Sequence, residues 1–285
     1  MQRNLVKREE ESPIIFLCDN GSLAPSAVQS LRLTAANLSY ETNDVVLPVG
    51  LLHSDRLDAD ALGGDPGTVL LTELSKCLDR GERDFIVLPF FLGPSLGITQ
   101  WLPYQLEELR LDWTDMRVRV APCLHQAEDT RLARALSERI NEVIERECLE
   151  QPLIALVDHG TPVPEVHAVR ENVGQQLRDL MASEVIQVKT CSMERRPKPE
   201  YDFNEPLLEN LLPDQEACPS HEVVVAQLFL SPGRHAGPDG DVANICRQAE
   251  QTRPGLQTFL TDPLGDHPLV LEILEERLRQ CLAAD

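Results

Sequence analysis

The chain has 285 residues, 42% of them hydrophobic, which is typical of a globular protein with two domains and excludes a disordered chain. Its formal net charge of −21 makes nucleic acid and anionic membrane surfaces poor partners, because both carry the same sign of charge. The N-terminal stretch is charged, and no apolar run approaches the ~20 residues of a membrane-spanning helix. We therefore expect no signal peptide, no membrane segment and a cytoplasmic location.

In the first half of the chain, short apolar runs alternate with one-sided helical patterns. The apolar runs predict strands at residues 13–18, 44–52, 84–92 and 117–124. The helical patterns predict helices at residues 25–38, 66–80, 101–111 and 129–147. Asp129 or Thr130 is the expected N-cap of the last of these helices, because both side chains can accept a backbone hydrogen bond.

The second half repeats this alternation. Its apolar runs predict strands at residues 152–158, 184–192, 222–230 and 256–264, and helices are predicted at 164–182, 205–212, 239–252 and 267–283. Strands that are separated by helices pair in parallel, so both halves predict an α/β fold. Residues 195–220 are rich in proline and acidic side chains, and they predict a long loop that carries one short helix.

The two halves are related to each other in sequence. Three pairs of residues lie at nearly constant separations of 138, 139 and 140 residues: Pro94 with Pro232, Gly21 with Gly160, and Leu124 with Leu264. Constant separations of this kind indicate an internal duplication. We place the boundary near residue 150, which gives domains at 1–150 and 151–285.

Eight cysteines are spread along the chain, and no two of them form a C-x-x-C pair. Zinc ribbons and thioredoxin-like redox sites need that spacing, so neither is predicted. Because several cysteines lie within apolar runs, we predict reduced, buried thiols that act as small hydrophobic side chains.

Histidines follow two of the predicted strands in the second half. In a parallel α/β sheet, ligands bind at the carboxyl ends of the strands, where His159 follows one strand and His235 follows another. Imidazole binds divalent transition metals and can accept a proton near neutral pH. Each histidine taken alone could instead be a loop histidine that bonds a neighbouring carbonyl, but the pair at neighbouring strand ends favours a metal site.

The first half serves as an internal comparison. Under the duplication, Asn20 stands where His159 stands, Gly97 stands where His235 stands, and His53 lies near the position of Glu194. The first half therefore keeps the scaffold without these side chains, and we predict one active half and one structural half.

Three segments of the second half resemble the class II chelatases, the sirohydrochlorin cobaltochelatases and ferrochelatases of cobalamin and sirohaem synthesis. These segments are LVDHGT (156–161), VVVAQLFLSPGRHAGPDGDV (223–242) and DPLGDHPLVLEILEERL (262–278). The resemblance implies two tandem chelatase-like domains related by a pseudo-twofold axis, each with a four-stranded parallel sheet flanked by helices. It also implies that domain 1–150 is degenerate and that domain 151–285 is catalytic.

The resemblance further implies roles for individual residues. His159 and His235 would hold a divalent metal and take part in catalysis with Glu194, which would act as a base or a third ligand. The residues implied to bind the substrate are Gly160, Thr161, Ser192, Gly233 and Arg234. The metal, Co²⁺, Fe²⁺ or Ni²⁺, would be a substrate rather than a resident cofactor, and no organic cofactor is expected. The other partner would be a tetrapyrrole, bound by a monomer or a homodimer.

A polycarboxylate substrate needs local positive charge in so acidic a chain. Arg195, Arg196 and Lys198 lie together, and Arg234 adjoins His235, so these side chains could bind carboxylates. The alternative for residues 195–198 is a solvated loop. His267 lies in a motif that resembles one of the family's, and it ranks below His159 and His235 as a candidate: a structural residue that caps the last helix is favoured over a metal ligand.

Two other functions remain open from the sequence. A carrier could bind metal or tetrapyrrole without turnover, and it would change the tetrapyrrole spectrum only stoichiometrically. A hydrolase that uses the Asp158-His159 pair would need a nucleophile elbow, and no G-x-S-x-G motif is present.

Overall fold

The computed structural model describes residues 12–283 and forms two compact units. Within the described residues, unit 1 combines residues 12–124 with residues 271–283, and unit 2 is the continuous stretch His125–Val270. The boundary that the duplication predicts near residue 150 therefore separates the two sequence repeats, whereas the compact units are divided after Leu124 and after Val270. The last helix of each sequence repeat belongs to the unit formed by the other repeat.

Unit 1 contains a four-stranded parallel sheet with the strand order β2-β1-β3-β4. The strands are β1 (Ile14–Asp19), β2 (Val46–Gly50), β3 (Asp84–Pro89) and β4 (Arg117–Val120). The helices are α1 (Pro25–Thr42), α2 (Leu70–Asp79), α3 (Leu102–Asp112) and, from Leu271 onward, α8 (Pro268–Leu282).

Unit 2 contains a second four-stranded parallel sheet, with the order β6-β5-β7-β8. Its strands are β5 (Leu153–Asp158), β6 (Gln187–Ser192), β7 (Glu222–Gln227) and β8 (Gln257–Leu260). Its helices are α4 (Arg131–Glu147), α5 (Pro164–Met181), α6 (Leu208–Leu211) and α7 (Asp241–Thr252). The predicted α/β fold, with a four-stranded parallel sheet in each repeat and flanking helices, is confirmed.

The central strands explain why the sequence shows continuous apolar runs rather than alternation. Every residue of β5 is buried, because helices cover both faces of the sheet. Each fully buried leucine, isoleucine or valine contributes about 1.5–3 kcal/mol, so these strands anchor the core of the unit. The residues that directly follow β5 are consequently attached to a rigid, fully buried strand.

The observed elements are shorter than the predicted ones at several strand ends. The second strand covers Val46–Gly50 and the last covers Gln257–Leu260. Each apolar run continues for a short distance as buried loop, in which Leu51 donates to the Asp19 carbonyl at 2.8 Å and Thr261 donates to the Val225 carbonyl at 3.2 Å. At the start of α4, Thr130 occupies the N-cap position without a side-chain capping bond. The Asp129 carboxylate instead accepts the backbone N–H of Arg131 at 3.1 Å.

The long connection between β6 and β7 is more ordered than the sequence predicts. It contains a 3₁₀ helix, Pro199–Asn204, in addition to the short helix α6. Arg253, which is 3% exposed, fixes the far end of this connection. Its guanidinium donates hydrogen bonds to the carbonyls of Leu212 at 2.9 Å and Ser220 at 2.8 Å.

The cysteines are free thiols, as predicted, and most are buried. Burial raises the pKa of Cys246 to about 12 and that of Cys123 to about 11, so both remain protonated near neutral pH. Among the helices of residues 12–283, none combines the length and the apolar character that a membrane crossing requires.

Candidate metal and substrate site

His159 stands directly after β5 because the backbone turns sharply at Gly160. Gly160 has φ of +88°, and a Cβ at this position would lie 1.8 Å from the carbonyl oxygen of Glu194. Only glycine fits such an approach. The N–H of Glu194 then donates to the carbonyl of His159 at 3.2 Å, so the ends of β5 and β6 bring these two residues together.

The side chains of His159 and Glu194 present acceptor atoms to each other. Nδ1 of His159 lies 3.0 Å from the carbonyl oxygen of Gly160, which can only accept, so Nδ1 carries the proton in the neutral ring. Nε2 therefore offers its lone pair, and it lies 3.6 Å from Oε1 of Glu194. Both side chains reach solvent, with exposed fractions of 47% for His159 and 62% for Glu194.

His235 reaches the same place from the loop after β7. Its ring centroid lies 4.6 Å from that of His159, and the two rings meet edge to face at 79°. Nδ1 of His235 lies 2.7 Å from Oδ2 of Asp241, the first residue of α7. The loop is held by backbone hydrogen bonds from Asp241 to the Arg234 carbonyl and from Val242 to the His235 carbonyl.

The structure therefore brings His159, Glu194 and His235 together, as the sequence predicts. An open pair of imidazoles beside a carboxylate can bind a transition-metal cation without enclosing it. Imidazole and carboxylate can also accept protons. Within residues 12–283, no three His, Cys, Asp or Glu side chains form a preassembled metal-binding group.

A buried polar network lies beneath the two strand ends. Arg170 of α5 is 2% exposed, and its guanidinium donates to Oδ1 of Asp158 at 3.3 Å and to the hydroxyl of Ser192. The Ser192 hydroxyl in turn donates to Oδ1 of Asp158 at 2.7 Å. The same carboxylate oxygen accepts the N–H of Gly160 at 3.1 Å, so the network fixes the turn that carries His159.

Two of the predicted substrate-binding residues have structural partners. Ser192 is completely buried in the network with Arg170, so its hydroxyl holds the strand end and does not face the site. The backbone of Thr161 pairs with the buried side chain of Asn204, with both hydrogen bonds at 2.9 Å. The Thr161 hydroxyl accepts the N–H of Val163 at 3.0 Å, at the start of α5.

The other predicted substrate-binding residues lie in the turns that carry the histidines. Gly160 forms the turn after His159, and the N–H of Gly233 donates to the Ala236 carbonyl at 2.8 Å within the His235 loop. Arg234 has a side chain that is 83% exposed, and its Nε lies 3.7 Å from Asp241. Arg234 is consequently well placed to receive an anionic group.

The cationic cluster predicted at residues 195–198 is largely used within its own loop. Arg195 forms ion pairs with Asp202 at 3.1 Å and Glu205 at 2.7 Å. The guanidinium of Arg196 lies 5.5 Å from the ring centroid of Tyr201. These side chains hold the loop together because the acidic residues that follow them in sequence fold back onto them.

His267 has a structural position, which was one of its two predicted alternatives. It is 4% exposed, and its Nδ1 accepts the backbone N–H of Leu269 at 3.2 Å, which caps the start of α8. Nε2 lies 3.3 Å from Oε2 of Glu138. Burial lowers the pKa of this imidazole, although nearby Glu138 acts in the opposite direction.

Unit 1 keeps the backbone of this site with different side chains. A Cβ on Gly21 would lie 1.6 Å from the carbonyl oxygen of Leu52, the contact that Gly160 makes with Glu194. Leu52, rather than the neighbouring His53, therefore stands at the position of Glu194. An open pocket of about 510 Å³ lies here, lined by Asn20, Leu51, Leu52, Leu96, Gly97, Gln100, Trp101 and Tyr104.

Sequence reasoning missed three residues that support the site. Asp241, Arg170 and Asn204 contact the predicted site residues, yet each lies in a different predicted helix or loop. Of these three residues, only Asp241 could have been found from the sequence, because it follows His235 by six residues and can reach back to it across a short turn. Nothing in the sequence pairs Arg170 with Ser192 before the strand register is known.

The fold and the site define a class of protein: a two-repeat α/β chain with two histidines and a glutamate at the strand ends of one repeat. Residues 67–143 and 153–281 match the CbiX family, and the chain belongs to this family of class II chelatases.

Solved structures show the same fold. SirB from Bacillus subtilis with Fe³⁺ has a TM-score of 0.69 and 15% identity, covering 95% of this chain and 96% of that one. The sirohydrochlorin chelatase SirB from Bacillus subtilis subspecies spizizenii, in complex with cobalt, has the same TM-score at 14% identity, with 95% of each chain covered. CbiX, described as the terminal enzyme for biosynthesis of sirohaem in denitrifying bacteria, has a TM-score of 0.58 at 12% identity, covering 94% of this chain and 99% of that one.

A curated relative matches over a shorter stretch. The chloroplastic sirohydrochlorin ferrochelatase of Arabidopsis thaliana is 36% identical over 61 residues, which is 21% of this chain and 26% of that protein. The chain thus covers about a quarter of the length of this relative.

Proposed function

We propose that this chain is a sirohydrochlorin chelatase that inserts Co²⁺ or Fe²⁺ into the tetrapyrrole in cobalamin or sirohaem biosynthesis. The observation that carries the proposal is that Nε2 of His159 and Oε1 of Glu194, both acceptors, lie 3.6 Å apart. Two ligand atoms bonded ~2.1 Å from a tetrahedral cation lie about 3.4 Å apart, so one ion fits between them. His235, beside His159, supplies a further nitrogen.

Membership of the CbiX family and two further similarities support this substrate class. The plant relative is named a sirohydrochlorin ferrochelatase. The two SirB structures, which share the fold, are described with Fe³⁺ and with cobalt. Iron and cobalt are both borderline metals that imidazole binds well, so the donor set accommodates either one.

The reaction exchanges one divalent cation for the two protons of the pyrrole N–H groups. In the proposed mechanism, Nε2 of His159, Nε2 of His235 and Oε1 of Glu194 hold the metal, and Glu194, which leaves the metal first, accepts the first proton. Transfer of the metal to the ring frees Nε2 of His159, which accepts the second proton. Both protons then pass to solvent, which the exposed side chains of His159 and Glu194 contact.

Arg234 is proposed to bind a carboxylate of the macrocycle. Its side chain is 83% exposed, and it adjoins His235, so an anionic substituent bound there would hold the ring near the metal. Arg195 is less suited to this role, because Asp202 and Glu205 already occupy its guanidinium.

The proposal is tested by anaerobic insertion of Co²⁺, Fe²⁺ and Ni²⁺ into sirohydrochlorin, followed by absorbance at enzyme concentrations far below that of the substrate. We expect His159→Ala and His235→Ala each to lower kcat by at least ~100-fold, since each removes a metal ligand. Asn20→Ala, at the equivalent position of unit 1, is the matched control and should keep the wild-type rate.

Full turnover by His159→Ala would contradict the assignment of the active repeat. A spectral change that stops at one equivalent of protein would instead identify a carrier of metal or tetrapyrrole. Circular dichroism of each variant checks that the fold is retained.

A further inference from the structure

Asp241 holds His235 from two directions. Its side-chain Oδ2 lies 2.7 Å from Nδ1 of His235, and its backbone N–H donates to the Arg234 carbonyl at 3.0 Å. The next residue, Val242, donates to the His235 carbonyl at 3.1 Å. The first turn of α7 therefore fixes both the backbone and the imidazole of His235.

Gly240 makes this close approach possible. A Cβ on Gly240 would lie 2.6 Å from the carbonyl oxygen of His235, which is closer than real Cβ atoms come. The absence of a side chain at this position lets the helix start against the histidine loop. Asp241 is consequently carried to His235 by the local backbone, and its position does not depend on a long, flexible side chain.

The carboxylate decides which ring nitrogen of His235 carries the proton. An ionised carboxylate only accepts hydrogen bonds, so Nδ1–H donates to Oδ2 and Nε2 keeps a free lone pair. His159 reaches the same state through a weaker partner, the neutral carbonyl of Gly160 at 3.0 Å. The two rings thus differ in how firmly their orientation is held.

We propose that Asp241 is a positioning residue that locks His235 in the tautomer and orientation in which Nε2 can receive the metal. The inference rests on the proposed function, because it assigns His235 to the metal. A carboxylate behind a ligating imidazole orients the ring and strengthens it as a donor. Asp241 contacts no substrate in this role and acts on metal binding through His235.

The test compares wild type with Asp241→Ala, Asp241→Glu and Asp239→Ala. Asp239 is an exposed acidic residue of the same loop and serves as the matched control for charge. Two measurements use the protein without tetrapyrrole: long-range ¹H–¹⁵N NMR of the histidine rings, and titration with Co²⁺ followed by its visible absorption. The His235→Ala spectrum assigns the His235 signals.

We expect wild type and Asp239→Ala to show His235 with the proton on Nδ1 and with equal Co²⁺ affinity. Asp241→Ala should show a mixture of tautomers and bind Co²⁺ about 10–100-fold more weakly, and Asp241→Glu should recover most of that loss. Should Asp241→Ala lose its near-ultraviolet circular dichroism, the isosteric Asp241→Asn replaces it. Asp241→Asn should also bind Co²⁺ more weakly than wild type, by a smaller factor than Asp241→Ala.

An unchanged tautomer and a Co²⁺ affinity within about twofold of wild type in Asp241→Ala would overturn the inference. Wild-type protein that binds Co²⁺ at these histidines but inserts none into sirohydrochlorin would overturn the proposed function alone. The two failures are distinct, because the tautomer and the affinity are measured without the macrocycle.

Discussion

Arg234 and His235 are neighbours in sequence with opposite environments. His235 is tied to Asp241 at 2.7 Å, whereas Nε of Arg234 lies 3.7 Å from the same oxygen and its side chain is 83% exposed. An exposed, weakly paired guanidinium loses little on binding a new carboxylate. The roles proposed for the two residues, anchoring and metal binding, follow from this difference.

We predict that Arg234→Ala raises KM for sirohydrochlorin about tenfold while changing kcat by less than about twofold, since it removes binding that is equal in ground and transition states. Steady-state kinetics at saturating metal measure both constants. Arg196→Ala, whose side chain stacks on Tyr201 within its own loop, is the control and should leave KM unchanged. An unaltered KM in Arg234→Ala would remove its anchoring role.

Asp19 ends β1 as Asp158 ends β5, but the two carboxyl groups have different surroundings. Asp158 receives hydrogen bonds from Arg170 and Ser192. Asp19 accepts the N–H of Gly21 at 2.8 Å, and burial raises its pKa from 3.8 to about 6 despite that bond. The first repeat therefore carries a carboxyl group that is protonated more readily than usual.

This shift predicts a pH dependence of stability. Between pH 3.8 and about 6 the folded chain keeps a proton on Asp19 that the unfolded chain has lost. The free energy of unfolding should thus fall by about 2–3 kcal/mol as pH rises through that window and then level off. Asp19→Asn, which is neutral and can still accept the Gly21 N–H, should remove this decline and be more stable by about 2 kcal/mol at neutral pH.

Urea unfolding at a series of pH values measures the decline. The exposed Asp112 provides the control, because Asp112→Asn should keep the wild-type slope. A slope in Asp19→Asn equal to that of wild type would show that another group is responsible.

At the scale of the elements, Arg170 joins four parts of unit 2. It extends from α5 to the end of β5 at Asp158, to the end of β6 at Ser192, and to the carbonyl of Asn204 at 3.4 Å in the long connection. Breaking a buried ion pair leaves the remaining charge without compensation. The side chain therefore links the turn that carries His159 to the loop that follows Glu194.

We predict that Arg170→Met lowers the free energy of unfolding by about 3–5 kcal/mol, because it leaves the Asp158 carboxylate buried without its cation. The double variant Arg170→Met/Asp158→Asn should recover about 1–3 kcal/mol of that loss. Arg178→Met, on the same helix, removes hydrogen bonds to the Val188 carbonyl and to the exposed Gln175 side chain and should cost about 1 kcal/mol. Additive losses in the double variant would contradict the coupling.

The sequence predicts the elements better than it predicts side-chain environments. The strand before His159 and the helix after it are predicted within one residue, because apolar runs and proline positions are local signals. Parallel pairing predicts that His159, Glu194 and His235 lie at one edge of the sheet, whereas the exact position of His235 is set by its loop and by Asp241. The sequence could not predict that Ser192 is buried and faces away from the site. Its burial depends on the strand register that sets it beside Asp158 and on the hydrogen bond that its hydroxyl accepts from Arg170.

At the scale of the whole chain, the sequence repeat and the compact units are different divisions. Helix α4 ends the first repeat but lies within unit 2, where it packs on α5 and β7. Helix α8 ends the second repeat, and from Leu271 onward it belongs to unit 1. Its Arg277 is fully buried and donates to the carbonyls of Cys123 and Leu124, at the end of the continuous part of unit 1.

Because α4 and α8 each lie in the unit formed by the other repeat, the structure predicts which fragment of the chain folds by itself. Fragment 125–270 retains α4, whose buried residues are Leu132, Ala133, Ala135, Leu136, Ile140 and Val143. Fragment 151–285, the second repeat as the sequence divides it, lacks that helix and carries α8 without the rest of unit 1. Burial of each large aliphatic side chain contributes about 1.5–3 kcal/mol, so losing several of them removes most of a typical 5–15 kcal/mol of stability.

We expect fragment 125–270 to show a cooperative urea transition and the near-ultraviolet circular dichroism of packed side chains. Fragment 151–285 should show neither, even though it contains His159, Glu194 and His235. Hydrogen exchange of the β5 and β7 amides provides the residue-level check, since these strands should be protected only in the first fragment. Equal protection in both fragments would mean that α4 is dispensable, and that the sequence repeat is itself the folding unit.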